Sequence, residues 1–154
     1  MPHIHEKIDN TVEVFIVHQN RVLLRMHDKY KIWLSVGGHV ELDEDPNEAA
    51  LREVKEEVGL DVRLDDRRQL FRHVETDGRE LIPPTFLKRH RISPTHEHVV
   101  MTFFATSDTS RVTVEGHDDR SDEWRWVTLE ELEKMDLRPD VRFYAQTALK
   151  ELGQ

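Results

Sequence analysis

Cysteine is absent from the 154 residues, which excludes disulfides, thiolate metal sites and a cysteine nucleophile. No apolar run comes near the roughly 20 residues that a membrane-crossing helix needs, so no membrane partner is expected. Positive charge is scarce: 22 Lys and Arg face 31 Asp and Glu, a formal net charge of −9. That balance argues against binding a nucleic-acid polymer, whose phosphates would repel the chain. An acidic protein that handles phosphates needs a local device to reverse the repulsion, and divalent metal is the obvious one. The opening residues, Met1-Pro2-His3-Ile4-His5-Glu6-Lys7, lack the basic-then-apolar layout of a signal peptide, so a cytoplasmic location is expected. Repeats, low-complexity tracts and linkers are also missing. Residues 1–154 are therefore expected to form one domain, whose 37% of hydrophobic residues suffice for a single core.

What is present reads as alternating strands with a helix in the middle. Thr11 to His18 and Arg21 to Met26 are β-rich runs joined by a tight turn at His18-Gln19-Asn20. Ile32 to Glu41 is a third apolar stretch, interrupted by Gly37-Gly38, where the backbone must turn or come close to something. Asp45-Pro46-Asn47-Glu48 is a helix start, with Asp45 as N-cap, Pro46 in the first position and Glu48 completing a capping box. The helix is expected to run to Val58 and to end on a left-handed Gly59. Asp61 to Val74 reads as one or two strands broken at Asp65-Asp66, and Glu75 to Pro94 as a long loop. His98 to Thr106 and Trp124 to Val127 are further strands. Thr128 opens a short capping-box helix to about Met135, and a last helix spans about Pro139 to Leu152. Such an order suggests an α/β domain with a mixed sheet covered on both faces.

The informative stretch is Gly38 to Leu60, GHVELDEDPNEAALREVKEEVGL. At about 100° per residue Glu53, Glu56 and Glu57 share one helix face, and Leu51, Val54 and Val58 are expected to form the opposite, buried stripe. Three neighbouring carboxylates repel one another, and near a helix C-terminus the macrodipole disfavours them further. Something should offset that cost. Hard oxygen ligands without Cys or His suit Mg²⁺ or Mn²⁺, shared with substrate phosphates and water. A Glu-rich helix face is commonly just solvated surface, but here the whole pattern is specified. Gly38, five residues, Glu44, seven residues and then Arg52-Glu53-Val54-Lys55-Glu56-Glu57-Val58-Gly59-Leu60 resembles the Nudix box at every defined position. By average residue frequencies a chance match is on the order of one in ten million, so accident is set aside.

This resemblance to Nudix hydrolases implies an α/β/α sandwich with a mixed sheet and a metal-dependent attack of water on phosphorus. It implies that Glu53, Glu56 and Glu57 bind the catalytic metal, Mg²⁺ or alternatively Mn²⁺, and that Gly38 offers its backbone carbonyl. It further implies that Arg52 positions the adjacent carboxylate and that Glu44 supports the loop or the metal waters. The residues before the glycines are Ser35-Val36, where many relatives have Phe-Pro; every expected ligand nonetheless remains.

Other candidates are weaker. Many Nudix enzymes add a carboxylate from a distant loop, as ligand or general base. Asp118 or Asp119 fits that position, with Glu115 and Glu97 behind them, against an ordinary solvated acidic loop. Arg25 closes the second strand, where relatives often reach a substrate phosphate. In the basic cluster Lys88-Arg89-His90-Arg91, Arg89 is a candidate for a terminal phosphate or ribose, against a solvated loop. Trp33 beside the glycine loop is the aromatic to consider for base stacking. His96 and His98 share a strand face, yet without a third convergent ligand a metal reading is disfavoured.

The expected substrate is a small nucleotide-type molecule with a nucleoside diphosphate linkage. A (d)NTP pyrophosphohydrolase releasing a monophosphate is favoured because the domain is compact. ADP-ribose and dinucleoside polyphosphate substrates are associated, respectively, with a proline or a tyrosine some sixteen residues past the box. That neighbourhood here is Val74-Glu75-Thr76-Asp77, with neither residue. Isopentenyl diphosphate isomerase, a Nudix-fold relative with a catalytic cysteine, is opposed by the lack of cysteine. A non-catalytic nucleotide-binding Nudix domain is opposed by the complete carboxylate set. A homodimer is compatible with everything above.

Overall fold

The computed structural model describes residues 3–113 and 123–154. Its spine is β1 (Ile8–His18), which turns through Gln19, at a positive φ of 54°, into β2 (Arg21–Met26). Two short strands follow, β3 (Trp33–Leu34) and β4 (Val36–His39), and then α1 (Pro46–Val58). Next come β5 (Val62–Leu64), β6 (Phe86–Ser93), β7 (His96–Ser107) and β8 (Trp124–Val127). The chain ends with α2 (Leu129–Lys134) and α3 (Pro139–Leu152). The strands make one mixed sheet in the order β3-β2-β1-β7-β5, with β4 also on β1, β6 on β7 and β8 on β2. β1 and β7 are parallel, and the remaining pairs are antiparallel.

Alternation along β1 divides the core in two. Val12, Val14 and Ile16 join Ala49, Ala50, Val54 and Val58 of α1 on one face. Phe15 and Val17 join Leu132 of α2 and Val141, Ala145, Ala148 and Leu149 of α3 on the other. Helices therefore cover both faces, as the sandwich requires. Along one edge β1 is shared: Thr11 to Val14 pair with β4, while Val17 and His18 pair with β2. The sheet forks between those partners, and the glycines of β4 stand at the fork. Among the described residues no helix is long and apolar enough to cross a membrane.

Four expectations need correction. The segment Glu75 to Pro94 is not all loop, because Phe86–Ser93 forms β6 against β7. Its charged composition disguises an alternation in which Phe86, Lys88 and His90 are half-buried and Leu87, Arg89 and Arg91 exposed. Charged outward residues are common on edge strands. The run Asp61 to Val74 yields only Val62–Leu64; Asp65 turns to accept hydrogen bonds from Arg67, and Val74 makes just an isolated bridge to Arg79. On α1 Leu51 is 42% exposed whereas Glu53 is buried. The buried arc runs through Ala49, Ala50, Glu53, Val54 and Val58, so the carboxylate face borders the core instead of opposing it. Finally, Thr128 caps α2 by accepting from the Glu131 N–H, but its hydroxyl donates to the Glu131 carboxylate, in place of a reciprocal box.

Candidate active site

The start of α1 forms as its sequence dictates. The Asp45 side chain accepts from the Glu48 N–H at 2.9 Å, and Glu48 accepts from the Asp45 N–H at 3.1 Å. Gly59 ends the helix at φ 68°, a left-handed conformation that favours glycine. Between β4 and α1 the loop folds on itself, with the Glu41 N–H donating to Glu44 Oε1 at 3.0 Å. That fold aims the Glu44 carboxylate at Arg52.

Arg52 is the centre of the arrangement. Its Nε and Nη2 donate to Glu44 at 2.9 and 2.6 Å, and Nη1 donates to Glu53 at 3.0 Å and Glu56 at 3.2 Å. Nη2 also donates to the His39 carbonyl at 2.9 Å, tying α1 to β4. One guanidinium thus offsets the repulsion among three carboxylates, using its rigid fork of donors. The hydrogen bonds from Arg52 hold Glu44 below the ordinary carboxylate range. Glu53 goes the other way. Burial pushes its carboxyl up and, with help from Glu56 and Glu44, outweighs the pull of Arg52. Glu57 faces Arg25, whose Nε lies 3.7 Å from its Oε2.

Gly38 adjoins Glu53 so closely that a Cβ built there would meet both carboxylate oxygens. Beside this strand lies a cleft of about 300 Å³. Arg25, Gly37 and Gly38 line it, as do Lys88, Arg138 and Asp140. Glu13 also lines it, accepting from Thr102 Oγ1 at 2.7 Å and Ser35 Oγ at 3.1 Å. Lys88 donates to Asp140 at 2.5 Å, and Arg138 reaches the same oxygen at 3.3 Å. For Asp140 burial raises the pKa, but Lys88 and Arg138 outweigh it and hold the carboxylate low.

The structure brings Gly38, Arg52, Glu53, Glu56, Glu57 and Arg25 together. It does not bring Trp33 or Arg89 to the cleft. Trp33 packs against the core under α3 and lines a separate groove with Arg125 and Lys134. Arg89 is exposed and donates to Glu97 at 2.8 and 2.9 Å, so Lys88 and His90 are the residues of the basic run that line the cleft. Asp118, Asp119 and Glu115 lie outside the described residues. Glu13, Arg138 and Asp140 escaped the sequence reading. A lone acid in the apolar strand Val12-Glu13-Val14-Phe15 was a usable signal for the first; nothing local marked the other two.

Comparison with known proteins agrees with this geometry. The family model for the NUDIX domain matches residues 8–147. The chain is similar to an RNA pyrophosphohydrolase of Blochmanniella pennsylvanica (strain BPEN), at 28% identity over 119 residues, 73% of this chain and 71% of that protein. A NUDIX-family hydrolase from Clostridium perfringens has a similar structure, with a TM-score of 0.79 and 30% identity over 94% of this chain and 97% of that one. The MutT protein of Methanosarcina mazei Go1 shares the fold, with a TM-score of 0.66 at 19% identity over 98% and 99% of the two chains. With a complete box set on the fold that carries it, the chain belongs to the Nudix family and is a Nudix hydrolase.

Proposed function

We propose that this hydrolase cleaves a phosphoanhydride bond in a nucleoside diphosphate-linked substrate, and that a (d)NTP, releasing a monophosphate, is the favoured class. The observation that carries the substrate reading is the cleft beside Gly38. Its volume of about 300 Å³ is at the small end for ligand sites and suits one nucleoside better than two. Three cationic side chains line it, Arg25, Lys88 and Arg138, in a chain that otherwise repels anions. The relative named RNA pyrophosphohydrolase supports phosphoanhydride chemistry, while the net charge of −9 favours a free nucleotide over a polymer.

The box residues fit a hard divalent cation, because every donor is an oxygen and the Gly38 backbone closes directly on the Glu53 carboxylate. Glu53, Glu56, Glu57 and the Gly38 carbonyl would hold Mg²⁺ or Mn²⁺. When bound, the cation lowers the pKa of water and neutralises charge on the diphosphate. The protein supplies position. Arg52 sets the Glu53 carboxylate against β4, and Arg25, which lines the cleft, presents a guanidinium to phosphate oxygens. Asp118 or Asp119 provides the remaining carboxylate, as ligand or general base.

The test is a substrate panel with Mg²⁺ and with Mn²⁺, ranked by kcat/KM. It holds (d)NTPs, ADP-ribose, a dinucleoside polyphosphate and a 5′-triphosphorylated RNA oligonucleotide. A (d)NTP should rank first and release pyrophosphate. A higher rank for any other member would move the substrate there, and turnover that survives exhaustive chelation would end the metal mechanism.

A further inference from the structure

One group of side chains, built on a buried aspartate, takes no part in the reaction proposed above. Asp9 of β1 is fully buried, and three imidazoles surround one of its oxygens. From Oδ2, His39 Nε2 lies at 3.2 Å, His3 Nδ1 at 3.3 Å and His96 Nε2 at 3.3 Å. His98 stands directly opposite Asp9 in the parallel β1–β7 register. Alternation puts His96 and His98 on one face of β7, and the N-terminal segment folds over them because the Ile4 and His5 N–H groups both donate to Asp9. Ligand atoms from His3, Asp9, His96 and His98 all lie within 4.8 Å of one another.

Hydrogen bonding does not account for this convergence. Asp9 Oδ2 already accepts from Ile4, and an oxygen with two lone pairs cannot serve three imidazoles as well. The Nε2 atoms of His39, His96 and His98 make no hydrogen bond, although His96 is only 4% and His39 8% exposed. The nitrogens of His39 and His96 come within reach of a carboxylate without aligning to it. His96 is the clearest case. Its Nδ1 lies 3.1 Å from the Glu6 carbonyl, which can only accept, so Nδ1 donates there and Nε2 is the nitrogen turned to Asp9, 3.3 Å from Oδ2 without a hydrogen bond. A metal ion between the two atoms would bond to both. The second bond to a carbonyl is also what commonly orients a metal-binding histidine.

We propose that His3, Asp9, His96 and His98 bind a divalent transition-metal ion, with Zn²⁺ the fitting species, at a site that shares no residue with the Nudix carboxylates. Donors about 2.0–2.1 Å from a tetrahedral zinc ion stand about 3.3–3.4 Å apart, which matches the 3.3 Å that separates Oδ2 from His3 Nδ1 and from His96 Nε2. The rings of His3 and His96 are 3.6 Å apart between centroids, so the two imidazoles converge on one place. Imidazole suits zinc, whereas Mg²⁺ prefers oxygen, so the two sites would sort different metals. Zinc here would fasten the N-terminal segment across β1 and β7. His39 and His98 also line the substrate cleft, so the site borders it.

The experiment is a Co²⁺ titration of tag-free, metal-stripped protein in excess Mg²⁺, read by visible absorption, with Zn²⁺ as competitor. We expect one equivalent of Co²⁺ with bands of low coordination number, displaced by Zn²⁺, and a Zn²⁺-dependent rise in Tm. His3→Ala and His98→Ala should each weaken binding at least tenfold (about the loss that even supporting residues cause), while Glu56→Gln should bind as the wild type does. His3 is 45% exposed, so its variant will fold and decides the matter even if His98→Ala does not. Absence of Co²⁺ binding, unchanged affinity in His3→Ala, or loss of binding in Glu56→Gln would each overturn the proposal.

Discussion

Gly38 and Glu53 occupy adjoining space: a Cβ on residue 38 would collide with both oxygens and the Cδ of the buried Glu53 carboxylate. Gly38 has no positive φ, so the requirement for glycine is steric and specific to that carboxylate. Gly38→Ala should therefore displace Glu53 and leave the backbone in place. A displacement of about 1 Å can cost about 10²-fold in rate, and we expect kcat to fall by that order. The loss of Tm should be a few degrees, because the group that must yield is a side chain. Wild-type turnover in Gly38→Ala would show that the Glu53 position is not critical.

A pH effect follows from Glu53, whose carboxyl is raised by burial, with Glu56 and Glu44 adding to the rise. With a folded pKa above the unfolded one, the native state holds the extra proton between the two values. Stability of the metal-free protein should thus decline as pH rises from the ordinary carboxylate value of 4.5 through the folded pKa. Activity runs opposite, because only the ionised carboxylate serves a cation. The acid limb of kcat/KM should lie above pH 4.5 at low Mg²⁺ and move down as Mg²⁺ increases. An acid limb that ignores Mg²⁺ would detach Glu53 from the metal.

Lys88 offers a different split. It lines the cleft with Arg25 and pairs with Asp140, with none of the box carboxylates. Lys88→Met removes one cation while Arg138 stays beside Asp140. A contact made equally in ground and transition states affects KM alone. We expect KM to rise about tenfold, a loss of about 1.4 kcal/mol, with kcat within about twofold. A fall in kcat at unchanged KM would place Lys88 in the reaction itself.

The sequence made the box legible because its chemistry is local. The helix caps, Gly38 and the carboxylates of α1 lie within 23 contiguous residues (Gly38 to Leu60), and a helix fixes their spacing. Even so, the burial of Glu53 was missed, because helical angles say which residues share a face but not where the sheet meets it. The cleft was largely hidden for a related reason. Glu13, Lys88 and Asp140 come from β1, β6 and α3, and only strand register and helix docking unite them. The charged edge strand β6 adds to this, since it reads like a loop and so hides the alternation that turns Lys88 and His90 inward and Arg89 outward. His96 and His98 were noticed, but the third ligand came from Asp9, 87 positions before His96 in the chain. Parallel pairing of β1 with β7 supplies it, and no short-range pattern can.

The remaining question is which carboxylate serves as the base, and Asp118 and Asp119 are the proposed source. If one of them acts, replacing it with Asn should lower kcat with little change in KM, because a group that works mainly in the transition state contributes to rate. Loss of a general base costs about 10²–10⁴-fold, whereas loss of a solvated loop charge costs almost nothing. Adjacent aspartates can substitute for each other, so the decisive variant is the double replacement Asp118→Asn with Asp119→Asn. The rival is Glu53, which is buried, raised in pKa and held by Arg52 at 3.0 Å, features that suit a base. Those same features suit a metal ligand, and the two roles differ in their kinetics. A fall of about 10²-fold or more in the double variant, at unchanged KM and saturating Mg²⁺, assigns the base to the loop. Retention of most of kcat moves it to Glu53 and leaves the loop a bystander.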